Sequence, residues 1–241
     1  MKIILDLSPN FSKRRRKNSE ISYIVIHYTG MQSEIESLKR LKNKKSNVSC
    51  HYLIGKQGNI TQLVRENRIA WHAGKSKWKN FKNLNKNSIG IELVNKGHNY
   101  GYEKFPLKQI KSLIFLCKKL KKKYKIDKKN FLGHSDISPL RKDDPGEKFP
   151  WKRLSKLKIG NWYLKKDFLK IKVKKKNAKK MFFKNLYKIG YRYFSIYKRS
   201  RGDAKVIKAF QRRYLPSNVT GRIDVKTLKI SYFLADQVKS S

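Results

Sequence analysis

Five histidines, at positions 27, 51, 72, 98 and 134, and one carboxylate inside an apolar run are the residues of this chain best suited to chemistry. Imidazole titrates near neutrality and is the commonest metal-ligating side chain. None of the five has the close spacing of a zinc finger or of two histidines one helical turn apart, so spacing alone assigns none of them to a metal. Context separates two of them. His27 ends the apolar run Ser22–Tyr28 and is followed by Thr29 and Gly30, which puts it at the mouth of a strand. His134 follows Gly133 at the head of a polar stretch holding Ser135, Asp136, Arg141, Lys142, Asp143 and Asp144. A carboxylate ten residues beyond this histidine can return to it if the chain folds back through Pro139 and Pro145. Two histidines and one carboxylate, with a fourth position open, make a catalytic zinc arrangement. A solvated charged loop would use the same residues.

Glu92 is the carboxylate in question. It interrupts a strand-like run in which Ile89, Ile91 and Leu93 are apolar. Strand alternation puts it on the face shared by Gly90 and Val94. An ionised group in a sheet is costly unless it is solvated or engaged. Both an outward-facing surface glutamate and a working carboxylate satisfy the pattern.

The elements that must position these groups are legible in part. Residues 22–28 and 88–94 read as buried strands, rich in β-branched residues. Residues 51–64 read as a hairpin turning at Gln57-Gly58-Asn59. A short helix fits 34–42. A longer one fits 106–124, opening on Pro106 and carrying an apolar stripe of Ile110, Leu113, Ile114, Cys117 and Leu120. Residues 131–151, with turns at Ser138-Pro139 and Asp144-Pro145, read as a long structured loop. After Trp162 the character changes to a Lys-rich stretch, followed by short helical patterns such as Val206, Ile207, Phe210 and Tyr214 on one face.

Lys and Arg number 61 against 16 Asp and Glu, a net charge of +45, which attracts polyanions of any kind. No nucleic-acid-binding motif accompanies it, and the lysines are spread along the chain, so no specific nucleic-acid partner is expected. Cys50 and Cys117 are too few for a disulfide framework and read as two buried thiols. No apolar run is long enough for a transmembrane helix. The N-terminal stretch Ile3–Leu5 is too short for a signal-peptide core, which favours the cytoplasm over the periplasm or envelope.

Five motifs then occur in one order: HYTG at 27–30, VSCHYLIGKQGNITQLV at 48–64, AWHAGKSKW at 70–78, NSIGIELVN at 87–95 and GHSDISPLRKDDPGEKFPW at 133–151. Together, and with SPNF near the start and IGNW at 159–162, they resemble the zinc-dependent N-acetylmuramoyl-L-alanine amidases of the type 2 amidase family, which are related to peptidoglycan recognition proteins. Further on, VIKAFQRRYLPSNVTGRIDVKTL at 206–228 resembles the small helical peptidoglycan-binding domain that often follows such amidases.

The resemblance implies roles for single residues. His27, His134 and Asp144 match the three ligands of one zinc ion per chain. In other branches a cysteine takes the place of Asp144. Glu92 matches the catalytic carboxylate, and Lys142 the basic residue two positions before the third ligand. His51, Trp71 and His72 match positions near the substrate groove. Some relatives carry a catalytic tyrosine just before the position of His51, where this chain has Cys50. The implied substrate is peptidoglycan or its muropeptide fragments, with a recognition protein that binds without cutting as the competing reading. The expected architecture is a mixed α/β domain, residues 1–163, with a central, mainly antiparallel sheet flanked by helices. A basic linker (164–180) and a small all-helical domain (181–241) would follow, in a monomer.

Overall fold

The computed structural model of the protein describes residues 1–164, 171–173 and 176–238. Its strands, in chain order, are β1 (Ile3–Leu5), β2 (Phe11–Arg15), β3 (Tyr23–Tyr28), β4 (Tyr52–Ile54), β5 (Ile60–Gln62), β6 (Arg68–Ala70), β7 (Lys77–Trp78), β8 (Phe81–Lys82), β9 (Ser88–Leu93) and β10 (Phe131–Gly133). Its α-helices are α1 (Glu34–Lys42), α2 (Leu107–Tyr124), α3 (His134–Ile137), α4 (Trp151–Ser155), α5 (Ala178–Ile189), α6 (Asp203–Tyr214) and α7 (Val225–Asp236). Among the described residues no helix is long and apolar enough to cross a membrane.

Six strands form the central sheet, in the order β1-β5-β4-β9-β3-β10. The mixed α/β class holds, but the sheet is not mainly antiparallel. Only the β4–β5 hairpin is antiparallel, while β1–β5, β4–β9, β3–β9 and β3–β10 are parallel. The hairpin announces itself through its turn residues. The parallel neighbours are joined by long connections, one of them through α2, that carry no local signal of strand direction. Residues 131–133, expected in a loop, form β10 on the edge beside β3. Three residues are too few to show a period.

Away from its exposed edge strand β1, the sheet is buried on both faces. Ile24, Ile26, Ile89, Ile91, Leu93, Tyr52 and Ile54 meet the apolar stripe of α2, Ile110 to Leu120, on one side. Gln109 ties that helix to the sheet, its Nε2 donating to the carbonyls of Ile54 and Val94 at 2.9 and 3.1 Å. On the other side Tyr23, Val25 and Leu132 share one core with Trp78, Leu84 and residues of the C-terminal helices, among them Phe182, Phe183, Phe210 and Leu228. The helices after residue 177 therefore build the second layer of the sheet. Of the expected linker, residues 165–170 and 174–175 lie outside the described residues. Cys50 and Cys117 are both buried free thiols.

Alternation now sets the site. Along β3, Ile24 and Ile26 face α2, so His27 faces the other way with Tyr23 and Val25. Register puts Leu53, Glu92 and His27 in one row across β4, β9 and β3. Gly90 sits one step along that face, and a Cβ there would meet His72 Cγ at 2.3 Å. Gly90 is what lets the His72 ring lie over β9. Gly90→Ala is expected to destabilise the protein by about 1–3 kcal/mol through overpacking against His72. A urea-unfolding comparison with the wild type checks this, and equal midpoints would contradict it.

Candidate metal centre and groove

Three buried side chains from two segments converge behind the C-terminal end of β3. The Nδ1 atoms of His27 and His134 are 3.0 Å apart, and each lies 3.1 Å from Oδ2 of Asp144. β3 delivers His27. His134 begins α3 directly after β10, and β10 pairs with β3 so that Gly133 lies beside Ile26. Asp144 returns from ten residues on because the Ser135 amide donates to the Asp144 carbonyl at 2.8 Å, closing the loop on itself. The Asp144–Pro145 peptide is cis.

The far sides of both rings assign their tautomers. His134 Nε2 lies 3.1 Å from the Ala73 carbonyl, an acceptor, so Nε2 carries the proton and Nδ1 a lone pair. For His27 two more residues fix the tautomer. The Ser88 hydroxyl donates to the Leu84 carbonyl at 2.6 Å, so Ser88 Oγ accepts from His72 Nε2 at 3.2 Å. His72 Nδ1 is then the acceptor for His27 Nε2–H at 3.0 Å, which leaves His27 Nδ1 unprotonated. Burial, and then the neighbouring His27 and His51, hold His72 well below the usual imidazole range, so it stays neutral as the relay requires. Burial, and then His134, lower His27 to about 4 against the opposing pull of Asp144.

Two imidazole lone pairs and a carboxylate oxygen thus point at one another. Three converging lone pairs repel unless a cation lies among them. A tetrahedral ion with bonds of about 2.0–2.1 Å separates its donors by about 3.3 Å, close to the spacing seen here. His27, His134 and Asp144 could therefore hold a metal ion.

A groove of about 460 Å³ opens over this cluster. Glu92, Lys142, His72, His134 and Asp144 line it, together with Trp71 and the rim residues Arg40, Tyr28, His98 and Tyr100. Glu92 Oε2 is buried with no hydrogen-bond partner among the described residues. Burial, and then the charge of Asp144, push the Glu92 carboxyl up to about 8, with Lys142 pulling the other way. A carboxyl poised near neutrality beside a candidate metal site is suited to moving a proton.

Of the three residues expected at the groove, Trp71 and His72 line it, although His72 also braces His27 from behind. His51 does not reach it. It is wholly buried, Nδ1 accepting the Gly90 amide at 3.0 Å and Nε2 facing the Arg68 carbonyl at 3.1 Å. Its place beside AWHAG in the motif order was no guide to depth. No sequence signal assigned the roles of Ser88 and Gly90, which need the sheet register, or of His98, which bridges Tyr28 Oη at 2.8 Å and Glu147 Oε2 at 3.1 Å on the rim.

The Glu92 environment makes a pH prediction. Its folded value lies above the unfolded one of about 4.3, so the folded state binds its proton more tightly. The associated stability is present at low pH and is lost as pH rises from about 4.3 through about 8. In metal-free protein, Glu92→Gln is expected to gain stability relative to wild type as pH goes from about 5 to about 8. Denaturant unfolding at both pH values measures the gap, and a gap independent of pH would refute it.

The family model for N-acetylmuramoyl-L-alanine amidases matches residues 17–147. The chain is 43% identical over 155 residues to the N-acetylmuramoyl-L-alanine amidase AmiD of Escherichia coli, covering 59% of this chain and 55% of that protein's length. It is 39% identical over 164 residues to the 1,6-anhydro-N-acetylmuramyl-L-alanine amidase AmpD of Haemophilus influenzae, covering 61% of this chain and 86% of that protein. Among solved structures, Escherichia coli AmiD with the substrate anhydro-N-acetylmuramic acid-L-Ala-D-gamma-Glu-L-Lys is similar at a TM-score of 0.80 and 33% identity, covering 93% of both chains. AMPDH3 of Pseudomonas aeruginosa is similar at a TM-score of 0.82 and 30% identity, covering 96% of this chain and 99% of that one. With the converging donors and the groove carboxylate in the places the motifs mark, the chain belongs to this N-acetylmuramoyl-L-alanine amidase family.

Proposed function

We propose that the protein hydrolyses the amide bond between the lactyl group of N-acetylmuramic acid and the first L-alanine of the stem peptide, in peptidoglycan or its muropeptide fragments, using one zinc ion held by His27, His134 and Asp144. The observation that carries this reading is the convergence of three metal-competent donors under a groove that also presents Glu92 and Lys142. The complex of AmiD with an anhydromuramyl peptide supports fragments of that kind as the substrate.

When bound at such a site, zinc polarises a carbonyl and lowers the pKa of water to about 7. The protein's own residues do the rest. Glu92 takes a proton from the attacking water as its oxygen bonds to the lactyl carbonyl carbon. It then passes that proton to the alanine nitrogen as the carbon–nitrogen bond breaks, so the peptide leaves as a neutral amine. General acid–base assistance of this kind contributes about 10²–10⁴-fold. The Lys142 ammonium faces the charge developing on the carbonyl oxygen, a contribution of about 10²–10³-fold. Asp144 brings the single anionic ligand, so a dication there keeps net positive charge and its pull on the carbonyl. Trp71 and Tyr100 in the groove lining offer an apolar wall to sugar and peptide, and Arg40 offers a cation to the carboxylates of the stem. The helices that include residues 206–228, with their resemblance to peptidoglycan-binding domains, would hold the enzyme on the polymer.

Incubation with an N-acetylmuramyl tripeptide followed by mass spectrometry tests the reaction. The expected product is a free peptide with an L-alanine amino terminus. Glu92→Gln is expected to keep its metal and lose at least about 100-fold in rate. Lys142→Met should lose about 10²–10³-fold. Intact substrate recovered from metal-loaded wild type would reject the reaction, and metal loss in Glu92→Gln would instead make that residue a ligand.

A further inference from the structure

The segment that carries His134, Lys142 and Asp144 is gripped from outside the region matched by the family model, which ends at residue 147. The grip comes from α6. Arg213 Nη1 pairs with Asp136 Oδ2, both side chains almost wholly buried, and Arg213 Nη2 donates to the Phe131 carbonyl at 2.9 Å. Asp136 also accepts the Gly133 amide at 2.8 Å and the Tyr191 hydroxyl. One buried carboxylate thus joins the residue before His134 to Arg213 in α6 and to Tyr191 just after α5. The guanidinium is seated over the Trp151 ring, 4.0 Å from its centroid.

The adjacent arginine reaches the other end of the same loop. Arg212 Nη1 lies 2.9 Å from Asp143 Oδ1, directly before Asp144, and its Nε is 3.7 Å from Glu147 Oε2. Between the two ends, Lys205 Nζ donates to the Leu140 carbonyl at 3.1 Å. These α6 ion pairs and hydrogen bonds all fall on residues 131–147, and the ring contact is to Trp151 just beyond. A metal site needs its ligands held to within about 0.5 Å, and a polar loop of this length has little core of its own to hold it.

We propose that α6 is a clamp that positions the metal-bearing loop, with Arg213 and Arg212 as positioning residues for His134 and Asp144 respectively. The C-terminal helices are then part of the hydrolytic site's rigidity as well as any holdfast on polymer. The two arginines differ in cost. Arg213 neutralises a buried carboxylate, so losing it leaves Asp136 charged without compensation and endangers folding. Arg212 is partly exposed and Asp143 half exposed, so that pair can be broken with the core intact.

The clamp rests on the proposed metal reading for one of its readouts and stands apart from it for the other. In full-length protein, Arg212→Gln is expected to keep the wild-type unfolding midpoint while weakening zinc affinity about tenfold in competition with a chelating dye. The cobalt-substituted variant should show an altered visible absorption spectrum, and its loss in turnover should fall on kcat more than on KM. Asp143→Asn should do the same, and the double variant should be no worse than either single one. In metal-free protein, hydrogen exchange of the 133–144 amides should quicken in Arg212→Gln while α2 stays protected. Wild type that takes up no zinc would remove the metal reading, and the exchange comparison would still decide the clamp. Equal protection of those amides in wild type and Arg212→Gln overturns it, as does unchanged zinc affinity with an unchanged cobalt spectrum.

Discussion

Three lone pairs held face to face in a buried space are the constraint on which this structure turns. Left alone, the His27, His134 and Asp144 donors repel one another at 3.0–3.1 Å, so the fold must hold them against their own electrostatics. It does so by fixing the opposite edge of each ring. The Ala73 carbonyl takes the outer proton of His134, and the chain His27–His72–Ser88–Leu84 carbonyl fixes the other. Such outer hydrogen bonds set ligand tautomer and ring orientation before any ion arrives.

The sheet explains why these partners can be where they are. Parallel pairing of β3 with β9 and β10 brings the strand ends carrying His27, Glu92 and His134 to one edge. This is the end of a parallel sheet where side chains can reach a common ligand without interrupting the ladder. The same pairing lets Glu92 sit inside the row of donors with its Oε2 unpartnered among the described residues. Burial, and then the charge of Asp144, push its carboxyl up to about 8, which suits it to moving a proton.

Much of the site was legible in the sequence because its chemistry is written in short strings. His27 at a strand end, His134 after a glycine and Asp144 before Pro145 could be marked from context and then from motif resemblance. The face of Glu92 followed from alternation with Ile89, Ile91 and Leu93. What was not legible depends on pairing over long distances. Strand direction between β3 and β9 cannot be read from either strand. Nor could the depth of His51 be read, because its fate is set by the Gly90 amide across the sheet. The attachment of α6 was hidden for the same reason, since Arg213 and Asp136 are far apart in the chain and nothing near either one names the other. The position of β10 was hidden by its shortness.

The proposed hydrolysis requires that the three converging donors hold the ion that makes the groove reactive. Protein stripped with a chelator and then titrated with zinc tests this most directly, with release of L-alanine-terminated peptide followed at each addition. No activity is expected in the stripped protein, with a linear recovery that levels off at one zinc per chain. Full turnover in the stripped protein, or recovery that continues past one equivalent with no break, would contradict it.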